Sequence, residues 1–335
     1  MELAVIPYGN YPLALKLAAA THWSTEWISC YLLEALFMSD YSNCRLCGEI
    51  SFPRKGNIRT KKKILANKIL ECSNCSFVFL NNDSHISDYH YEESLMHDFI
   101  EPLEDSRSSS KEDDLRRFTM LETDIRNKNL LEVGCGNGGF LKLAQKSAKT
   151  IQGIEPEKKY HEFFTLEQLN IYPSLLDAGQ KIEAVDVVVS FHVIEHVKDP
   201  LAFLTQILEL LKVNGKLFIE TPNSNDALIK LYDSTAFQDF TYWDNHLILF
   251  NNKSFEHMLN KIEGITYKSI PVQRYGVANH LHWLSTGKPG GHKHWSFLET
   301  ELIRSEYMKN LSELLMNDTL FYVITKINDE CKVRF

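Results

Sequence analysis

From residue 130 onward, short apolar runs alternate with amphipathic stretches. The apolar runs are rich in Val, Ile and Leu and end at turn residues, which predicts strands, whereas the stretches between them have helical periodicity. The predicted strands are 130–133, 150–154, 185–190 and 216–220, and the predicted helices are 140–147, 158–169 and 201–211. This alternation favours an α/β fold with a parallel sheet covered by helices on both faces.

The last third of the chain continues the alternation with longer elements. The same criteria predict a helix near 254–262, a strand near 265–272, a long helix near 297–316 and a strand at 320–327. We expect one main domain over 121–335, in which the stretch of about 273–318 is an insertion.

The residues before the main domain have a different character. Residues 1–43 mix aromatic and aliphatic side chains, and we expect a partly helical N-terminal extension there. Residues 101–120 are polar and charged, which is typical of a surface linker or of the first turns of a solvated helix.

Charge and hydropathy narrow the classes of partner. The chain has 36 Lys and Arg against 44 Asp and Glu, a formal net charge of −8, which argues against broad electrostatic binding of nucleic acid or anionic membranes. No apolar run reaches the roughly 20 residues of a membrane span, and the N-terminal stretch has no basic region typical of a signal peptide. A cytoplasmic protein is therefore expected.

Four of the seven cysteines form two Cys-x-x-Cys pairs, Cys44 with Cys47 and Cys72 with Cys75. In a reducing compartment this pattern indicates a metal site more often than disulfides, and the separation of the pairs is close to that of four-thiolate zinc ribbons. We predict a structural Zn²⁺ and place a small zinc ribbon in a module over 44–100. Free thiols or a redox pair are the alternative.

A glycine-rich turn, Glu132-Val-Gly134-Cys-Gly136-Asn-Gly138-Gly139, follows the first predicted strand. Such a turn lets a nucleotide-containing ligand approach the backbone, but its spacing fits both NAD and S-adenosylmethionine. Glu132 favours the second, because a carboxylate there can meet a cationic amino group. Glu155-Pro156 ends the next strand, where a carboxylate can accept both hydroxyls of a ribose.

The later blocks decide between the two ligands. Residues 186–200 contain HVIEH (192–196), and residues 215–223 end in PN (222–223). In this order the blocks resemble the class I S-adenosylmethionine-dependent methyltransferases. The resemblance implies a Rossmann-like, mostly parallel sheet of seven strands, and a cofactor site that includes Glu132, Gly134, Gly136, Gly138, Glu155, Pro156, Asp177, Phe191 and His192.

A zinc-binding module before such a domain resembles the sugar C-methyltransferases and related enzymes of surface-polysaccharide clusters. Asp88-Tyr89-His90-Tyr91 is similar to their tyrosine-containing lid, so Tyr89 and Tyr91 are expected at the acceptor. The Tyr242-Trp-Asp-Asn-His246-Leu block is similar to the segment with their active-site histidine. His246 is our candidate general base and Tyr242 a second catalytic candidate. For a chain of this length, a full copy of their further C-terminal domain is not expected.

The insertion after the sixth strand holds polar, aromatic and flexible residues. Arg274, His280 and Lys288 are predicted to bind the acceptor, for example through a phosphate, although a solvated loop fits equally well. His192 and His196 lie four residues apart. A local hydrogen bond is the preferred interpretation of that pair over a shared metal.

Three functions remain open. The preferred one is methylation of a small-molecule acceptor, most of all a sugar, a nucleotide-linked sugar or a surface glycan. An RNA-modifying methyltransferase is the first alternative, because residues 48–71 hold seven Lys or Arg, but the acidic whole makes nucleic acid the less expected partner. A protein that binds the cofactor without catalysis is the second.

Overall fold

The computed structural model describes residues 42–53, 68–87, 89–92 and 103–334. The expected N-terminal extension, apart from its last two residues, lies outside these ranges, as does most of the basic stretch between the two cysteine pairs. Within the described ranges, no helix is both long enough and apolar enough to cross a bilayer.

Twelve strands and eleven α-helices follow one another in the described ranges. The strands are β1 (Ser42–Asn43), β2 (Ile50–Pro53), β3 (Ile69–Cys72), β4 (Val78–Leu80), β5 (Asn129–Val133), β6 (Thr150–Ile154), β7 (Asn170–Tyr172), β8 (Val185–Phe191), β9 (Leu211–Pro222), β10 (Ile248–Leu249), β11 (Ile265–Val272) and β12 (Thr319–Lys326). The helices are α1 (Leu103–Ile125), α2 (Gly139–Ala144), α3 (His161–Leu166), α4 (Leu175–Gly179), α5 (Pro200–Glu209), α6 (Ala227–Lys230), α7 (Thr235–Thr241), α8 (Asn252–Leu259), α9 (Val277–Thr286), α10 (Gly291–His294) and α11 (Glu301–Glu313).

Seven strands form the main sheet in the order β11-β12-β9-β8-β5-β6-β7. The five strands from β5 to β9 pair in parallel, whereas β12 is antiparallel to both β9 and β11. The α/β fold class and the mostly parallel seven-stranded sheet are thereby confirmed. All residues of β8 except Asp186 are buried, as expected for a central parallel strand with helices on both faces.

The helix that follows β8 shows how local sequence fixes the start of an element. Asp199 caps α5 by accepting bonds from the backbone N–H groups of Leu201 and Ala202, and Pro200 occupies the first helical position. The helix ends at Glu209, two residues before the predicted end, because the chain enters β9 at Leu211.

Asn214-Gly215, a pair that typically marks a turn or the end of a helix, lies inside β9. Asn214 has a positive φ of 63°, and the pairing of β9 with β8 shifts register between Val185 and Val187. Asn tolerates the left-handed region, so the same residues that suggest a helix stop here produce an irregularity in the strand. The predicted helix 158–169 is also broken, into a 3₁₀ turn, Lys158–Tyr160, followed by the short α3.

A 23-residue helix, α1, occupies the stretch that we expected to contain a linker. It packs against α2, and Arg107 donates a hydrogen bond of 3.0 Å to the carbonyl of Asn137 in the glycine-rich turn. Arg116 and Arg117 both reach the buried carboxylate of Glu220 at the end of β9, at 2.8 and 2.6 Å. Residues 103–125 therefore form part of the main domain.

The small sheet has the order β1-β2-β3-β4-β10, and its last strand comes from the main domain. β10 pairs antiparallel to β4, so that Ile248 lies opposite Phe79. Phe250 follows β10 and is fully buried, with its ring 5.0 Å from those of both Phe77 and Phe255. The cysteine-containing module and the main domain consequently share one apolar core.

Truncation of Phe250 tests this shared core. Phe250→Ala removes a fully buried ring between the two parts, and we expect it to lower the free energy of unfolding by about 3–5 kcal/mol. Denaturant titration measures the loss. The matched control is Phe297→Ala, whose side chain is 80% exposed, with an expected change within about 0.5 kcal/mol. Equal effects of the two variants would contradict a shared core.

Candidate functional site

The glycine-rich turn lies at the carboxyl edge of the parallel strands. The backbone N–H of Gly134 donates to the carbonyl of Ile154 at 2.8 Å, which ties the turn to the end of β6. Gly134 has a φ of +76°, and a Cβ there would come within 2.3 Å of the Val193 side chain. Gly136 has a φ of +51°, and a Cβ there would meet nothing within 4 Å. The turn therefore requires glycine for its shape and leaves open space beside Gly136.

Glu155, at the tip of β6, is buried and held by two backbone groups. Its Oε2 accepts a bond of 2.7 Å from the N–H of Gly136, and its Oε1 accepts one of 2.9 Å from the N–H of Glu157. Burial raises the pKa of Glu155 to about 7, against the lowering effect of these two bonds. Each carboxylate oxygen keeps a further acceptor position for a ligand.

Glu132 is also buried, two residues before the first glycine. Its Oε2 has no hydrogen-bond partner among the described residues, and burial together with the charge of Asp114 raises the pKa of its carboxyl well above the usual range. A buried carboxylate without a partner is costly. The position is therefore suited to a cationic group supplied by a ligand.

A cleft of about 420 Å³ opens above these strand ends. Five of the residues predicted to bind the cofactor line it: Gly134, Gly136, Glu155, Pro156 and His192. It is also lined by Tyr91, Tyr160, Leu175 and Val193, of which the sequence singles out only Tyr91, for a different role. Apolar residues scattered along the chain have no motif, so their convergence on the cleft was not visible in the sequence.

The other four residues predicted to bind the cofactor do not line this cleft. Asp177 has its carboxylate bonded to Ser174 Oγ in the first turn of α4, at 2.6 Å. Phe191 packs edge-to-face on Phe140, and Gly138 forms the left-handed start of α2. Glu132 directly precedes Val133, which is a cleft residue.

A second cavity of about 480 Å³ lies beside the cleft. Its walls are largely aromatic and apolar, from α6, α7 and the insertion: Leu228, Ile229, Phe237, Phe240, Trp243, Tyr275 and Trp283. His246, Arg274 and His280, three of the residues predicted for the acceptor side, also line it. The insertion thus contributes part of the cavity wall.

The remaining acceptor candidates lie elsewhere. Tyr242 is only 2% exposed and packs in the apolar core rather than on the cavity. Tyr89 is 64% exposed and lines neither cavity, and Lys288 lies beside Pro289 without lining the cavity itself. Tyr91 faces the first cleft, where its hydroxyl donates to the carbonyl of His196 at 2.7 Å.

Arg274 does not present an unpaired charge to the second cavity. Its Nε donates to Asp113 Oδ1 at 3.0 Å, its Nη2 pairs with the same carboxylate, and its guanidinium lies 5.2 Å from the ring centre of Tyr275. The charge is therefore largely compensated within the protein, which weakens its attraction for a phosphate.

The cleft and the second cavity share two residues, His192 and His196. His192 has a φ of +56°, a strained value for a residue other than glycine, and such strain is concentrated at functional sites. Burial alone would lower the pKa of His192, but the neighbouring carboxylates of Glu195 and Glu220 outweigh it and raise the pKa. This residue therefore stands, with a protonatable ring, at the point where the two cavities meet.

His192 belongs to a network of buried charged groups at this edge of the sheet. Glu220 is fully buried and paired with Arg116 and Arg117 of α1, while His192 lies 3.2 Å from Glu220 and 3.1 Å from Glu195 on its other side. Removing one partner of such a network leaves a buried charge uncompensated. The helix α1 is therefore as necessary to this edge as the strands are, although it precedes the first strand of the main sheet.

His246 has the geometry of a neutral imidazole. Its Nδ1 lies 2.8 Å from the carbonyl of Thr241, so Nδ1 donates and Nε2 keeps its lone pair. Burial, together with the nearby His196, lowers the pKa of His246 to about 3. A base of such a low pKa is unprotonated at neutral pH but is a weak proton acceptor.

The four cysteines converge at one point of the small sheet. The sulfur of Cys44 lies 3.6 Å from that of Cys75, and the sulfur of Cys47 lies 3.4 Å from that of Cys72. All four sulfurs are within 4.8 Å of one another. In each pair a backbone N–H points at the first sulfur, from Leu46 to Cys44 and from Cys75 to Cys72. These are two knuckles with a common centre.

The cysteine module holds the segment that contains His246. His85 contacts the carbonyl of Asp244 at 2.6 Å, and His90 contacts Asn245 Oδ1 at 3.0 Å. The N–H of Leu80 donates to the carbonyl of Leu247 at 2.9 Å, next to the β4–β10 pairing. The position of His246 in the second cavity thus depends on the module.

Comparisons with known proteins agree on one domain. Residues 106–263 match a family model described as "Methyltransferase domain". The "tRNA U34 carboxymethyltransferase" of Alteromonas mediterranea is 29% identical over 110 residues, which are 29% of this chain and 33% of that protein. The protein of the same name from Helicobacter acinonychis is 34% identical over 110 residues, 30% of this chain and 42% of that one. The match thus spans about a third of the length of the first of these relatives.

Solved structures of similar fold include two methyltransferases. The plantazolicin methyltransferase BpumL in complex with SAH has 17% identity and a TM-score of 0.45, over 70% of this chain and 93% of that one. A SAM-dependent methyltransferase from Archaeoglobus fulgidus has 17% identity and a TM-score of 0.41, over 71% of this chain and 100% of that one.

Proposed function

We propose that this protein, which carries a class I S-adenosylmethionine-dependent methyltransferase domain, transfers the cofactor's methyl group to an acceptor held in the 480 Å³ cavity. The observation that supports it most is the contact of the two cavities at His192 and His196. Methyl transfer needs donor and acceptor in line across a short distance, and two adjoining cavities provide that arrangement.

The residues of the cleft fit the cofactor. Glu155 has free acceptor positions for both ribose hydroxyls, as acidic residues have at this point of doubly wound sheets. Glu132 does not line the cleft but directly precedes the cleft residue Val133, and its unpartnered Oε2 suits the amino group of the methionine end. Gly136 leaves open space for the cofactor beside the turn. When bound, the cofactor supplies a methyl group already activated on a sulfonium.

The chain's own contribution is position and the exclusion of water. Aromatic walls from α7 and the insertion cover the second cavity, so a bound acceptor loses its hydration shell and is held at a fixed angle. Asn223 and Asp226, after the end of β9, add polar groups to the same wall. These can orient a hydroxyl or an amide without adding covalent chemistry.

A sugar or another small hydroxylated molecule fits this cavity best. Aromatic side chains such as Trp243, Phe240 and Trp283 can stack on the apolar face of a sugar ring, while His280 can meet a hydroxyl. Because the charge of Arg274 is compensated by Asp113, the part of the acceptor that enters the cavity is expected to be uncharged. A phosphate or nucleotide carrier would then lie outside it.

RNA is the second candidate acceptor. The names of the relatives favour it, although the shared segment of about 110 residues covers only a third of the Alteromonas protein. A nucleoside contains a sugar, and its base can stack on the same aromatic walls. The expectation of a surface-polysaccharide substrate gains no support from these names.

The four thiolates fit one structural zinc ion. A tetrahedron with Zn–S bonds of about 2.3 Å places sulfurs about 3.8 Å apart, close to the observed separations. With four protein ligands the ion has no open position, so we assign it to folding rather than catalysis. Its role is to hold β4, and through β4 the segment with His246.

The raised pKa of Glu155 makes cofactor binding pH-dependent. Below pH 7 the carboxyl of the free protein is protonated, and ribose hydroxyls that donate to a carboxylate must displace that proton. We expect the affinity for SAH to weaken by up to about tenfold for each pH unit below 7, and to level off above it. Calorimetric titration between pH 6 and 8 measures this slope.

Glu155→Gln is the control for that slope. The variant cannot titrate at this position. Its affinity for SAH should be weaker, and that affinity should depend less on pH because the contribution of Glu155 to the slope is gone. An identical pH dependence in both proteins would show that another group is responsible and would remove Glu155 from the ribose site.

Zinc content tests the structural site. We expect one equivalent of zinc in the protein as purified and its loss in Cys72→Ser, since three thiolates bind the ion less tightly than four. Cys331→Ser is the control, because Cys331 lies outside the cluster. If a variant does not fold, elemental analysis of the wild-type protein decides. A wild-type zinc content no higher than background would contradict the thiolate site.

Transfer of labelled methyl groups tests the activity itself. Radiolabelled S-adenosylmethionine is incubated with the protein and, in separate reactions, nucleotide sugars, free sugars or unmodified tRNA. Label in the sugar fraction supports the preferred acceptor, and label in RNA supports the second. If the protein binds SAH but transfers no label to any of these acceptors, a non-catalytic cofactor-binding protein is favoured.

A further inference from the structure

Two imidazoles and a carboxylate converge on the wall between the cleft and the second cavity. Glu195, His196 and His246 each offer one ligand atom, and the three atoms lie within 4.8 Å of one another. All three residues line the second cavity. They come from two segments about 50 residues apart, a 3₁₀ turn after β8 and the segment before β10.

Both histidines are oriented by backbone carbonyls. His196 Nδ1 lies 2.7 Å from the carbonyl of Asn245, and His246 Nδ1 lies 2.8 Å from the carbonyl of Thr241. A carbonyl oxygen only accepts, so Nδ1 holds the proton in each ring and Nε2 keeps a lone pair. Metal-binding histidines characteristically have this arrangement, in which the second nitrogen donates to a carbonyl or carboxylate.

The carboxylate is fixed as firmly as the two rings. Glu195 is fully buried, its Oε2 accepts from Thr221 Oγ1 at 3.0 Å, and its Oε1 lies 3.1 Å from His192 Nδ1. Both oxygens retain a further lone pair. A cation placed between these three electron-pair donors would be attracted by all of them.

We propose that Glu195, His196 and His246 bind a divalent first-row transition-metal ion, such as Mn²⁺ or Fe²⁺, at the wall of the acceptor cavity. Two imidazoles and one carboxylate on one side of an ion leave its other positions open. The open positions face the cavity, because all three ligands belong to its wall. The site is separate from the thiolate cluster in position and in ligand chemistry.

The role of the ion rests on the proposed function. An acceptor hydroxyl that binds at an open position becomes more acidic and releases its proton to water. A lone pair of that oxygen then forms a bond to the methyl carbon, the carbon–sulfur bond breaks, and its electrons remain on sulfur as a neutral thioether.

Manganese is a selective probe for this site. Thiolates favour zinc, whereas imidazole and carboxylate ligands accept Mn²⁺, so a full-length, zinc-loaded protein should bind Mn²⁺ without loss of zinc. We expect one equivalent of Mn²⁺ in a calorimetric titration monitored in parallel by the decrease of the free-ion electron paramagnetic resonance signal. Zinc content is measured before and after.

Variants locate the bound ion. Glu195→Gln and His246→Gln should weaken Mn²⁺ binding at least tenfold. Mutation of groups that only support a metal ligand already lowers metal affinity about 10–100-fold, and loss of a ligand should cost at least as much. His280→Gln is the matched control, because His280 lines the same cavity outside the cluster. It should retain the wild-type Mn²⁺ affinity.

The outcomes separate this inference from the proposed function. No Mn²⁺ bound by the wild type, or binding that His246→Gln leaves unchanged, overturns the metal site whatever the methyl-transfer assay shows. Bound Mn²⁺ that is lost in both ligand variants supports the site even if no acceptor is labelled. If a variant does not fold, as judged by circular dichroism, the wild-type stoichiometry decides.

Discussion

The parallel pairing of β5, β6, β8 and β9 holds the candidate site together. Parallel strands end at the same edge of a sheet, so the backbone pairing brings residues that are far apart in sequence together there. The register places Val133 beside both Ile154 and Ser190, and Phe191 beside Glu220. The positions of the glycine-rich turn, Glu155, His192 and the end of β9 follow directly from those pairs.

The cysteine module acts on the site from a distance. Among the described residues it contributes no group to the second cavity, yet it pairs with β10 and contacts Asp244, Asn245 and Leu247 on both sides of His246. A segment held at so many points has few alternative conformations, which is what a ligand or catalytic histidine needs. An ion bound by four thiolates would thus influence acceptor chemistry by restricting the backbone.

The order of residues was enough to predict the α/β class, the convergence of the four cysteines, and three of the four central strands to within one residue at each end. Those features depend on local periodicity, turn residues and short-range spacing, which can be identified in the chain directly. The fourth strand, β9, is longer than predicted because it continues through Asn214. The helix over 103–125 was only one of two interpretations of this stretch, because a helix with a largely solvated face resembles a linker in composition.

Which candidates share a cavity depended on long-range packing. Tyr242 and Phe191 have the right neighbours in sequence but pack in the core, and Asp177 bonds within its own helix turn. His196 and His246 come together because β8 and β10 fix two distant segments, and no periodicity in the sequence links them. Contacts set by register and by the pairing of two sheets are non-local, and for that reason they are visible only in the folded protein.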